Sequence, residues 1–248
     1  MENDKSITKW FGENLAILLS DKIKPIYSEF DSKAYVSIIK KECQDLSYTK
    51  RIELHADILR KLLPESYAQA VEILMQILGH ENPNETGMFT NFYWLMPIGK
   101  FVEKYGLEDF DISIQAIEEI TKRNTGEYAI RPFIKKLPEK TLKIMANWSK
   151  SNNFHLRRLA AEGSRPKLPW ATKLDTFIEN PEPVFKILEN LIEDNIKFVQ
   201  KSVANNIADY LKVNKNEAVN FINKYKDSEN KNTQWIIKHA QRNLKKYK

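Results

Sequence analysis

Leu156-Arg-Arg-Leu-Ala-Ala-Glu162 recurs in character twice further along the chain, as Val199-Gln-Lys-Ser-Val-Ala-Asn205 and Ile236-Ile-Lys-His-Ala-Gln-Arg242. In this register Arg158, Lys201 and Lys238 share one position, and Ala160, Val203 and Ala240 share another. Apolar residues at three- and four-residue spacing describe helices with one buried face. The copies lie about 40 residues apart, the length of a HEAT-like helical pair. One such pair cannot bury its apolar face alone. Stacked pairs share a core and set equivalent helix faces side by side. The expected fold is therefore all-α, a curved right-handed α-solenoid of HEAT-like helical repeats with a row of cations along one groove.

Outward from these copies the chain keeps the same period. Residues 1–30 predict one or two short helices, with Trp10, Phe11, Leu15, Leu18 and Leu19 as the apolar stripe. Asp31 is placed to cap a helix reaching about Gln44. Helices follow over Thr49–Leu63, closed by Pro64, and over Ser66–Leu78. His80–Gly87 reads as a polar loop, Phe89–Tyr105 as an apolar stretch interrupted by Pro97 and Gly99, and Asp111–Lys122 as an amphipathic helix. Phe154–Glu162 is helical, and Gly163 is expected to end it in a left-handed turn. Ser164-Arg-Pro-Lys-Leu-Pro169 is too rich in proline to continue it, so Trp170 follows a stiff basic loop. No alternating Val/Ile/Thr run marks a strand. The expectation is a single domain over residues 1–248, with N-terminal helices over 1–123 and the groove-bearing repeats over 124–248.

Composition narrows the function classes. The longest apolar runs fall well short of the roughly 18 residues of a membrane span, and no secretory leader pattern opens the chain. One cysteine, Cys43, excludes an internal disulfide framework and a cysteine-rich zinc site. A reducing cytoplasm is the expected compartment. The net charge of +6 is unevenly spread. Arg131–Lys173 carries eleven Lys/Arg against two acids, and Lys224–Lys248 carries eight against two. Localised positive charge suits phosphate binding, which draws its affinity from counterion release.

No metal-ligand constellation, glycine-rich phosphate loop or nucleophile elbow is present, so neither metal nor cofactor is expected. His55, His80, His155 and His239 are scattered. Carboxylates and an indole in basic surroundings remain as candidates. Glu127 lies three residues after Asn124, a spacing that also suits a helix capping box. Glu162 lies one turn after Arg158 and could simply pair with it. Trp170 could be a core anchor, and Asp209 a solvated helix acid. Taken singly, each has an ordinary structural reading.

Three motifs together say more. Thr125-Gly-Glu-Tyr-Ala-Ile-Arg-Pro-Phe133, His155-Leu-Arg-Arg-Leu-Ala-Ala-Glu-Gly-Ser-Arg-Pro-Lys-Leu-Pro-Trp-Ala171 and Ser202-Val-Ala-Asn-Asn-Ile-Ala-Asp209 closely resemble the AlkC branch of the AlkC/AlkD DNA alkylation-repair glycosylases. The resemblance implies HEAT-like repeats that cradle double-stranded DNA and excise cationic N-alkylated bases, 3-methyladenine and 3-methylcytosine, without flipping them into a pocket. It puts Glu127 and Glu162 on the family's catalytic glutamates, Trp170 on its active-site tryptophan and Asp209 on an acid near the lesion. Arg157, Arg158 and Arg165 match basic positions of the motif and would hold the DNA backbone. Arg131, Lys167, Lys201 and Lys238 are expected to join them. Longer members carry a C-terminal immunoglobulin-like domain. This chain, closing in a basic helix over Asn232–Lys248, is expected to be the short form, acting as a monomer. A non-catalytic repeat scaffold or a protein adaptor is the competing expectation.

Overall fold

The structure is a computed structural model describing residues 7–242, all of whose regular elements are helical. The chain divides into two compact units, one of residues 1–82 and 88–124, the other of residues 83–87 and 125–248.

The first unit contains α1 (Glu13–Ile23), α2 (Ser32–Glu42), α3 (Tyr48–Leu62), α4 (Tyr67–Gln76), α5 (Phe89–Phe92), α6 (Met96–Tyr105) and α7 (Phe110–Thr121). Asp31 caps α2 as expected, accepting from the Ala34 amide at 2.9 Å. Ser66 caps α4. The stripe Leu15, Ala16, Leu19 and Ile23 buries α1 against α2. Pro97 and Gly99 do not interrupt the aromatic stretch. Pro97 stands in the first turn of α6, where an amide would have no helical partner in any case.

The second unit contains α8 (Arg131–Lys136), α9 (Pro138–Trp148), α10 (Phe154–Gly163), α11 (Asp175–Glu179), α12 (Glu182–Leu191), α13 (Lys197–Val213), α14 (Lys215–Tyr225) and α15 (Lys231–Ala240). Its pairs are α9 with α10, α12 with α13, and α14 with α15. Each copy of the quoted repeat lies on the second helix of its pair, and α13 packs between α10 and α15. The repeat register is thus real packing. Val199, Val203, Ala204, Ile207 and Ala208 bury α13 on more than one side, and the alanines let its neighbours approach. Asn153 caps α10 by accepting from the amides of His155 and Leu156.

Two local expectations need correcting. Gly163 is the last residue of α10, not a left-handed cap, and Gly79 is the positive-φ glycine among the described residues. Gly163 is small for a packing reason: a Cβ there would lie 2.9 Å from Cγ2 of Ile130. The basic C-terminal helix ends at Ala240, and its expected continuation past Arg242 lies outside the described residues.

Candidate nucleic-acid and catalytic site

The second unit gathers three of the four candidate catalytic residues into one buried network. Glu127 stands in the turn before α8, Glu162 near the end of α10, and Asp209 in the last third of α13. Two arginines of the same motif join them. Arg158 pairs with Glu127 and lies 3.8 Å from Glu162. Arg165 donates through Nη1 to Glu162 Oε1 at 2.6 Å and through Nε to Asp209 Oδ2 at 2.7 Å. Acid and base therefore alternate from Glu127 through Arg158, Glu162 and Arg165 to Asp209. All three carboxylates are buried.

The capping-box reading of Glu127 does not hold. Asn124 spends its amide on the Phe92 carbonyl, while the Glu127 carboxylate accepts from Thr125 Oγ1 at 2.9 Å and pairs with Arg158. Nor is Asp209 a solvated acid. Sequence reasoning passed over Thr125, whose hydroxyl also accepts from the Glu127 amide and from Arg158 Nη1. It also passed over Ser202, which accepts from Arg158 Nε, and Phe198, whose ring lies 5.1 Å from the Arg158 guanidinium. A small hydroxyl two residues before a motif glutamate was the available signal for Thr125.

The network sets opposite electrostatic conditions on its two shared acids. Burial alone would push Glu162 up, but Arg158 and Arg165 outweigh it and hold the carboxyl below its usual range. Burial dominates at Asp209 and pushes its carboxyl up, despite the Arg165 hydrogen bond. Both arginines are held firmly protonated: their acids outweigh the burial that works against the charge.

The remaining candidates divide by exposure. Trp170 is outside the network, with its side chain 90% exposed on the loop that leaves α10. Its φ of 58° is left-handed, which a bulky residue rarely adopts. Arg131 is buried and donates to the carbonyls of Gly163, Arg165 and Thr172, at the two ends of that loop. Arg157 pairs with Asp194 at 2.6 Å and donates to the carbonyls of Ser151 and Asn152. Lys167, Lys201 and Lys238 are exposed. The arginines of the motifs are thus turned to partners within the unit, whereas these three lysines are exposed. Among the described residues no His/Cys/Asp/Glu group could hold a metal ion, and no helix is long and apolar enough to cross a membrane.

Known proteins match this chain over most of its length. The model of a family described as DNA alkylation repair enzyme matches residues 55–244. An uncharacterized protein of Bacillus subtilis (strain 168), YhaZ, is 33% identical over 237 residues, 95% of this chain and 64% of its own length. A solved structure of the Pseudomonas fluorescens alkylpurine DNA glycosylase AlkC, bound to DNA containing an abasic site analog, is 30% identical with a TM-score of 0.87. The match covers 97% of this chain and 65% of that one, so the chain spans slightly less than two thirds of either relative.

Proposed function

Because the chain belongs to the DNA alkylation repair enzyme family, we propose that it is a DNA glycosylase that releases cationic N-alkylated bases, 3-methyladenine and 3-methylcytosine, from duplex DNA. The observation that carries this reading is the set of three buried carboxylates held by two shared arginines at the end of α10, where the loop bearing an exposed indole departs.

A base alkylated on a ring nitrogen is already positive and departs as a neutral molecule, so no acid is needed to protonate it. The sugar left behind develops oxocarbenium character. Stabilising that charge requires a carboxylate that stays ionised in a water-poor site. Glu162 fits, since Arg158 and Arg165 keep it ionised despite burial. A proton must then leave the attacking water. Asp209, whose carboxyl burial pushes up and so gives a greater proton affinity than an ordinary aspartate, is assigned that proton. Glu127 assists by holding Arg158 and by adding negative charge to the site. The Trp170 face attracts the cationic nucleotide, an effect on the order of 0.5–2 kcal/mol. Lys167, Lys201 and Lys238 neutralise backbone phosphates, which sets position without reading sequence. Arg158 and Arg165 instead hold the carboxylates that act, Arg131 holds the loop that carries Trp170, and Arg157 is engaged by Asp194 and the turn before α10. The exposure of Trp170 suits a lesion met at the surface of the duplex rather than inside a pocket.

The test is single-turnover release of free base from duplexes carrying 3-methyladenine or 3-methylcytosine. Wild-type protein should release both, and Glu162→Gln should slow release by about 10²–10⁴-fold. Duplex binding without any base release would favour a non-catalytic repeat scaffold.

A further inference from the structure

Trp170 combines a strained backbone with an unpacked side chain. Its backbone is left-handed, and its side chain is 90% exposed. Packing of the indole therefore cannot be what holds the backbone there. Something else must fix the loop of residues 164–174.

Arg131 fills that requirement. Its side chain, from the first turn of α8, is almost fully buried. Nη1 donates to the Gly163 carbonyl at 3.1 Å and the Arg165 carbonyl at 2.9 Å, where the chain leaves α10. Nε and Nη2 converge on the Thr172 carbonyl, at 3.1 and 2.5 Å, two residues after the tryptophan. One planar group thus ties the start of the loop to its return. The Leu174 amide adds a bond to the Pro166 carbonyl at 3.1 Å, and Leu168 and Leu174 are buried beside it. Every one of these Arg131 contacts goes to a main-chain carbonyl rather than to a carboxylate. Burying a cation in that way carries a desolvation penalty. Burial and the neighbouring Arg165 accordingly push the guanidinium down to about 10. A neutral side chain would avoid the penalty, but none offers five donors in one rigid plane, and lysine presents its donors at a single point.

We propose that Arg131 is a positioning residue that locks loop 164–174 with Trp170 in its left-handed conformation, presenting the indole face to the alkylated nucleotide. Its sequence motif suggested a phosphate contact; its geometry makes it a brace. The inference rests on the glycosylase reading for the nucleotide, and on the geometry above for the lock.

The experiment combines Arg131→Lys with changes at Trp170. The Trp170 emission is isolated as the difference between each protein and its Trp170→Phe counterpart. Arg131→Lys should lower the time-resolved anisotropy of that emission in the free protein. It should slow single-turnover release of 3-methyladenine by on the order of 10- to 100-fold, the scale of a small misplacement. The Kd for the duplex should stay within about twofold. In a Trp170→Ala background the same change should alter the rate by less than about twofold, because the two residues act as one unit. An unchanged anisotropy, or an equal loss of rate in both backgrounds, overturns the proposal. Should Arg131→Lys fail to fold, Trp170→Gly against Trp170→Ala still decides. Glycine alone relieves the left-handed strain, so Trp170→Gly should melt at the higher temperature. Equal melting temperatures would remove the strain that the lock is said to hold. A wild type that releases no base defeats the glycosylase reading, while the anisotropy and melting results continue to report on the lock.

Discussion

Arg165 sits between two carboxylates on which burial and charge act in opposite balance. Glu162 is held down by two arginines, whereas Asp209 is pushed up. The two should therefore leave different marks on a pH–rate profile. Asp209→Asn should remove the acid limb of single-turnover release, since the group that must be deprotonated is gone. Glu162→Gln should lower the rate at every pH and leave the shape of the profile. Stability adds a second readout. The folded pKa of Glu162 is depressed, so its ionised form stabilises the protein above the ordinary glutamate value of 4.5. That contribution is lost as pH falls through the lowered folded value. Glu162→Gln should cost about 1–3 kcal/mol at neutral pH, because buried donors lose a charged acceptor. Urea unfolding at a series of pH values should show the gap between variant and wild type closing under acid. A constant gap would mean that Glu162 is not the linked group.

Among the elements, α10 is the one whose ends do most. Its first turn is capped by Asn153, its middle supplies Arg158, and its last turn supplies Glu162. Gly163 then passes so close to Ile130, the residue before α8, that a methyl would lie 2.9 Å from its branched side chain. Gly163→Ala poses two effects of opposite sign. Alanine favours a helix by up to about 1 kcal/mol. The overlap falls on a Cβ-attached methyl that cannot swing away, and overpacking of this kind costs about 1–3 kcal/mol. The overlap should win, and thermal unfolding should show a lower Tm. A rise in Tm would mean that α8 and α10 have room to part.

The charge pattern acts through the whole molecule. Lys201 on α13 and Lys238 on α15 are exposed on successive repeat helices, and in the proposed function they meet phosphates. Replacing either by alanine should weaken binding to undamaged duplex and lower the salt slope by about one unit. Arg158 shares their repeat position but turns inward to Glu127, Glu162 and Thr125. Arg158→Ala should leave the slope unchanged and reduce the rate. Titrations of binding against salt distinguish the two classes, and a slope change with Arg158→Ala would return it to the phosphate row.

The helices, their buried faces and the register of the repeats were set by the sequence alone, because those features depend on neighbours three, four and about forty residues apart and survive as periodicity. The capping of α2 by Asp31 belongs with them, being local chemistry. What only the tertiary structure decided is which way charged side chains turn. Arg158 and Lys201 occupy the same repeat position, yet one is half-buried and turned inward and the other exposed, because the partner of Arg158 is Glu127, 31 residues back in an irregular turn. The same holds for Arg165 and Asp209, and for Arg131 and Thr172. Pairings of that kind follow from the distance between packed helices, to which no period in the chain corresponds. Gly163 and Trp170 show the converse: their residue types suggest a left-handed glycine and an ordinary tryptophan, and close packing and a braced loop reverse the roles.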